Sequence, residues 1–264
     1  MSRRTPSGIA YEVSGSGPAV LLLHEGIADR TMWDPQADRW RDRFTVIRYD
    51  HRGFGESPDP EGDFSLHLDA LEVLDAAGVD RAAVIGASMG GEAALDLALA
   101  APERVAALVL VVTTPSGWEH PPEHLARFEE IDAVFERDGI GPANELELRM
   151  WVDGVGREPS DVDPEVRGRI SAINRALIER QGDSEVEPAE LDPPAIGRLG
   201  EVGAPTLVVT GALDQPSVNA GAAAIADGIA GAERVEIADT AHVPNLERPD
   251  EFDRAVVPFL VRHA

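Results

Sequence analysis

Ser88 stands in the segment Gly86-Ala87-Ser88-Met89-Gly90, behind the apolar run Ala82-Ala83-Val84-Ile85 and ahead of a helix-like stretch at 92–101. Glycine two positions either side of a serine lets a strand turn into a helix so sharply that larger side chains there would strike neighbouring backbone. The turn lifts the hydroxyl out of the chain at the carboxyl end of a sheet, where the free N–H groups of the helix start face any negative charge that develops beside it. The chemistry implied is nucleophilic attack on a carbonyl carbon. A serine hydroxyl is a weak nucleophile at neutral pH, so it needs a histidine to take its proton and a carboxylate to hold that histidine in the right tautomer.

Of the seven histidines, His242 follows the last strand-like run, in the loop Asp239-Thr240-Ala241-His242-Val243-Pro244-Asn245. Loops at strand carboxyl ends carry function in open sheets. Asp214 follows the run at 206–210 through Gly211-Ala212-Leu213, which brings it to the same sheet edge as Ser88. Asp239, three residues from His242, and Glu119, beyond the run ending near Thr113, are competing acids. For a developing oxyanion, the backbone N–H of Met89 is one expected donor. The second must come from another loop, and Gly26 in His24-Glu25-Gly26 is the first choice, because glycine lets backbone approach a ligand closely.

Strand-length apolar runs at 9–13, 19–23, 44–49, 82–85, 105–113, 206–210 and 234–237 have the elements to position these groups. Most are continuous rather than alternating, as in strands covered on both faces. Helical spacing at 66–77, 92–101, 218–229 and 250–261 supplies the cover. The expectation is an α/β fold: a doubly wound, mostly parallel sheet of about eight strands. The link between 9–13 and 19–23 is too short for a parallel crossover, so these two runs are expected to pair antiparallel at one edge. After Pro115 the rhythm stops, while apolar residues continue at helical intervals: Phe128, Ile131, Val134 and Phe135; Leu146, Met150 and Trp151; Ile170, Ile173, Leu177 and Ile178. The chain is therefore divided into a core at 1–115 and 204–264 and an inserted helical cap at 116–203, with the acidic stretch 182–194 as a solvated link. Trp118, Met150 and Trp151 are the cap side chains expected to line a pocket.

Composition narrows the function. The 264 residues carry 23 Lys+Arg against 48 Asp+Glu, a formal net charge of -25, which repels nucleic acid and anionic lipid. The absence of cysteine removes disulfides, thiolate metal sites and a cysteine nucleophile, and fits a reducing, cytoplasmic setting. No lysine occurs, which removes Schiff-base chemistry. No signal-like segment follows the first residues, and no apolar run reaches membrane-spanning length.

Five ordered segments resemble the α/β-hydrolase superfamily of capped serine hydrolases: Leu21-Leu22-Leu23-His24, the block from Asp50 to Ser57, Gly86-Ala87-Ser88-Met89-Gly90-Gly91, Gly211-Ala212-Leu213-Asp214, and the block from His242 to Pro249. The resemblance implies a triad of Ser88, Asp214 and His242, no cofactor, no metal, and a purely structural role for Asp50, His51 and Arg52. Two places depart from the family pattern: His24-Glu25 stands for His-Gly, and Ala241-His242 for Gly-His. A carboxylate aimed at a developing oxyanion opposes catalysis, so Glu25 is expected to point away or to pair with an arginine. The expected activity is hydrolysis of a small-molecule ester or lactone. A carbon–carbon bond hydrolase with the same triad and a binding protein with little turnover are the alternatives. Weaker similarity to enol-lactonase-type enzymes implies anionic substrates, for which cap arginines such as Arg149 or Arg175 would have to reverse the local field.

Overall fold

The computed structural model describes residues 2–181 and 188–264. Its strands are β1 (Arg3–Arg4), β2 (Ala10–Gly15), β3 (Ala19–Leu23), β4 (Thr45–Tyr49), β5 (Ala82–Ala87), β6 (Val105–Val111), β7 (Thr206–Gly211) and β8 (Glu233–Ile237). They form one sheet in the order β1-β2-β4-β3-β5-β6-β7-β8. From β4 to β8 every neighbouring pair is parallel, while β1 with β2 and β2 with β4 run antiparallel at the edge.

The helices are α1 (Asp34–Trp40), α2 (Leu66–Ala77), α3 (Met89–Ala100), α4 (Pro122–Asp138), α5 (Ile140–Leu148), α6 (Pro164–Gln181), α7 (Pro216–Gly228), α8 (Pro244–Glu247) and α9 (Pro249–His263). Period-two geometry divides each central strand between two cores. Val20, Leu22, Ala83, Ile85, Val109 and Val111 face a core shared with Trp33, Trp40, Phe252 and Phe259, beneath α1 and α9. Leu21, Leu23, Val84, Leu108, Leu110 and Val208 face the other, filled by Val73, Leu74, Leu95, Leu97 and Ile225 from α2, α3 and α7. Burial on both faces explains the continuous apolar runs.

One expected pairing is corrected. β2 and β3 are not neighbours, because β4 lies between them, antiparallel to β2 and parallel to β3. The short link passes over the start of β4, with Ser16 N–H donating to the Arg41 carbonyl and Thr45 N–H to that of Pro18. A link too short for a crossover still spans two inter-strand spacings of about 4.8 Å each. The short edge strand β1 was not foreseen from the pattern; its two residues are exposed and carry no apolar signal.

Between β6 and β7, α4 packs on α5 and α5 on α6. Their inward residues include Ile131, Leu148, Ile170 and Leu177. Of the expected link at 182–194, residues 182–187 lie outside the described part. Among the described residues, no helix is long and apolar enough to cross a membrane.

Candidate active site

Ser88 terminates β5 and precedes α3 with φ 49° and ψ -118°, a strained conformation for a residue with a side chain. The flanking glycines permit it. A Cβ on Gly86 would lie 2.0 Å from the Gly90 carbonyl oxygen, and one on Gly90 would lie 2.5 Å from that of His24. The turn is fixed from β6 and its extension, since Ser88 N–H donates to the Val111 carbonyl at 2.9 Å and Thr113 Oγ1 to the Ser88 carbonyl at 2.7 Å.

Asp214 and His242 meet, although 28 positions separate them. Nδ1 of His242 lies 2.8 Å from Oδ2 of Asp214, both side chains being buried, while Asp214 Oδ1 accepts from the Gln215 N–H at 2.7 Å. Asp239 and Glu119 are exposed. The histidine is braced from the insertion as well: its N–H donates to the Trp151 carbonyl at 3.1 Å, and its ring lies 4.5 Å from the indole of Trp151. Burial works to lower the His242 pKa, but the charge and hydrogen bond of Asp214, joined by the charge of Glu25, outweigh it and the net shift is upward.

After β3, His24 holds the loop that carries Gly26. Its Nδ1 lies 2.8 Å from the Glu25 carbonyl oxygen, and its Nε2 accepts the His51 N–H at 3.0 Å, which assigns the proton to Nδ1. In a trans peptide the C=O and the following N–H point in opposite directions, so fixing the Glu25 carbonyl also fixes the Gly26 N–H. Among the described residues, neither the Gly26 nor the Met89 N–H makes a hydrogen bond. Both residues, with Ser88 and His242, line one cavity of about 320 Å³. Its walls also include Ile27, Val112, His120, His124, Phe128 and Trp151.

The profile of the alpha/beta hydrolase fold matches residues 18–249. This chain belongs to the α/β-hydrolase family. Among solved structures, a hydrolase from Pseudomonas aeruginosa is 31% identical, covering 98% of this chain and 97% of that one, with a TM-score of 0.78. The enol-lactonase from Burkholderia xenovorans is 27% identical over 99% and 100%, with a TM-score of 0.77. A Caulobacter segnis protein provisionally named carbamate hydrolase RutD is 38% identical over 136 residues, 48% of this chain and 49% of its own. The match thus spans about half the length of this curated relative.

Three expectations about this α/β hydrolase need correction. Met150 does not line the cavity over Ser88: it is buried against Ile131 and Ala143 and lines a separate cavity of about 380 Å³ with Arg127, Arg149 and Arg157, while Trp151 faces the cavity over Ser88. The two are adjacent on a widened helical turn at Arg149–Asp153, where successive side chains point in different directions. Trp118 is also absent from the wall, its Nε1 donating to Ser217 Oγ at 3.3 Å. Arg149 pairs with Glu158 and Arg175 with Glu179, and no arginine lines this cavity among the described residues. Asp50 accepts the N–H groups of Arg30 and Glu56, both at 2.8 Å, tying together the turn it begins.

Glu25 departs furthest from expectation. Glu25 lines the cavity, its side chain is fully buried, and among the described residues neither carboxylate oxygen has a hydrogen-bond partner. Burial raises its pKa; His242 opposes the rise and Asp214 adds to it, leaving the carboxyl at about 7 against an ordinary 4.5. A protonated carboxyl does not repel an oxyanion, so this chain's departure from the family pattern at Glu25 is tolerable below about pH 7. The folded protein holds this proton up to about pH 7, whereas the unfolded chain releases it near 4.5. Stability from this group is therefore present below 4.5 and lost as pH rises through 7, by about 3 kcal/mol. In Glu25→Gln, urea unfolding at pH 5 and pH 8 is expected to lack that fall. A wild-type-like decline in the variant would show that Glu25 is not the cause.

Sequence reasoning missed His120, His124 and Phe128 as cavity walls, along with Glu92 and Glu147. The Phe128 stripe was visible as a helical face. Which side of α4 faces the cavity was not.

Proposed function

We propose that this chain is a serine hydrolase that cleaves a small carboxylic ester or lactone through an acyl-enzyme on Ser88. Ser88 Oγ attacks the carbonyl carbon as His242 Nε2 takes its proton, and the N–H groups of Met89 and Gly26 hold the oxyanion. The tetrahedral intermediate collapses, and His242 gives its proton to the departing alkoxide. Water then repeats the attack on the acyl-enzyme, with His242 again as base, to release the acid and free Ser88. Asp214 keeps the Nδ1 proton in place and stabilises the imidazolium. In this reading 1–115 with 204–264 form the core, and 116–203 the cap that covers the cavity. The observation that carries it is the 2.8 Å contact of buried Asp214 with a His242 that shares its cavity with the strained Ser88. A carbamate carbonyl is open to the same attack, a second reading favoured by the likeness to the carbamate-hydrolase relative.

A fluorophosphonate probe and p-nitrophenyl butyrate test the proposal. Expected are stoichiometric labelling at Ser88 and rapid release of p-nitrophenol; labelling elsewhere or none, with no release, overturns it. A histidine must be neutral to act as base, so kcat/KM falls as pH drops through the His242 pKa. The acid limb is expected above 6.5, the ordinary histidine value, because the shift is upward. A limb below 6.5 would contradict that role for His242.

A further inference from the structure

Apart from three imidazoles, of which burial holds His120 and His124 below the ordinary histidine range, the ionisable groups of the cavity wall are all carboxyls. Glu25 comes from the loop after β3, Glu92 from the first turn of α3, and Glu147 from α5 in the insertion. No arginine opposes them among the described residues of the wall, and the arginines of the insertion are engaged elsewhere. Arg127 donates to Gln215 Oε1 at 2.9 Å, Arg149 pairs with Glu158, and Arg157 pairs with Glu247. Carboxylates on a surface are ordinarily solvated and mean little. Here one of the three, Glu25, is completely buried and, among the described residues, neither of its oxygens has a hydrogen-bond partner; having no accessible surface, it acts on the cavity through its charge, which a cation held there would offset.

The apolar part of the wall points the same way. Trp151 and Phe128 lie 6.0 Å apart and His124 sits 5.9 Å from Trp151, forming an aromatic corner beside His242. Aromatic faces combined with carboxylates attract a desolvated cation and repel an anion.

We propose that the preferred substrates carry a cationic nitrogen, an amino- or trimethylammonio-substituted ester or lactone, held by the Glu92 and Glu147 carboxylates and the faces of Trp151 and Phe128, with the buried Glu25 adding its field. The proposal rests on the hydrolytic reading above and names its substrate class. It runs against anionic lactones, the class that similarity to enol-lactonases implies. Burial, then Asp96 and Glu190, raises Glu92 to about 7, and Glu25 sits at about 7 facing His242 and Asp214, so an entering cation draws both toward the charged form. Glu147 is raised mainly by burial, its hydrogen bond from Asn174 working against the rise and Asp132 adding to it.

Matched esters on the full-length protein test this. The p-nitrophenyl ester of 4-(trimethylammonio)butyrate is compared with that of 5,5-dimethylhexanoate, its uncharged isostere, and with mono-p-nitrophenyl adipate, which is anionic. The cationic ester is expected to exceed the neutral one at least tenfold in kcat/KM, mostly through KM, and the anionic one at least a hundredfold. Glu92→Gln and Glu147→Gln should each lower the cationic-to-neutral ratio about fivefold or more. Equal rates for the cationic and neutral esters, or a ratio unmoved in both variants, overturn the proposal. Turnover of the neutral ester that depends on Ser88 leaves the hydrolytic reading intact in that event. If no ester is cleaved, calorimetry with butyltrimethylammonium against neohexanol tests the cavity apart from turnover: selective binding of the cation supports the proposal, and its absence refutes it.

Discussion

Ser88→Ala is expected to lower kcat/KM for p-nitrophenyl butyrate by about 10⁴- to 10⁶-fold, the scale on which loss of a nucleophile removes a covalent pathway. The effect is this large because no other group at the elbow can accept the acyl unit. The change is small in every other respect: the backbone keeps φ 49°, which alanine tolerates no better and no worse than serine, and the Ser88 N–H and carbonyl keep their bonds to Val111 and Thr113. Melting temperature should therefore stay within about 2 °C of the parent protein. A variant that retains a tenth of the parent activity while folding normally would remove Ser88 from the mechanism.

Asp214→Asn is expected to cost about 10³- to 10⁴-fold in kcat with little change in KM. The carboxylate accepts the Nδ1 proton at 2.8 Å and its other oxygen accepts the Gln215 N–H, so the side chain is held at both ends. An asparagine oxygen that keeps the bond to Gln215 turns its NH₂ toward Nδ1, which favours the tautomer with the proton on Nε2. That nitrogen can then no longer take the proton of Ser88. The variant also loses the charge that raises the His242 pKa, so its acid limb moves down. Asp239→Asn and Glu119→Gln are the controls: both side chains are exposed, and each change should alter kcat less than about threefold. A large loss in either, with Asp214→Asn active, would reassign the acid.

The parallel α/β architecture was legible because burial on both faces leaves a mark in the chain itself. Runs such as 105–111 carry no polar residue on either side, and glycines at 86 and 90 announce a turn that no bulkier residue survives. The order Ser88, Asp214, His242 at the ends of β5, β7 and β8 was readable for the same reason: sheet topology converts sequence order into nearness at one edge. Pattern alone could not decide which strand lies between which. Insertion of β4 between β2 and β3 depends on competition among edges for backbone pairing, which is invisible in either segment. Nor could it choose between Met150 and Trp151, since a rotation of one residue on a helix decides whether a side chain meets the core or the cavity. The state of Glu25 lay furthest from reach. Its neighbours in the chain, His24 and Gly26, are silent about its charge, whereas burial in the folded protein, together with the charges of His242 and Asp214 more than 180 positions away, sets it. Local chemistry and periodicity determined the elements and the candidate reactive side chains; distant packing alone decided which faces meet, and with them the dielectric and charge around each group.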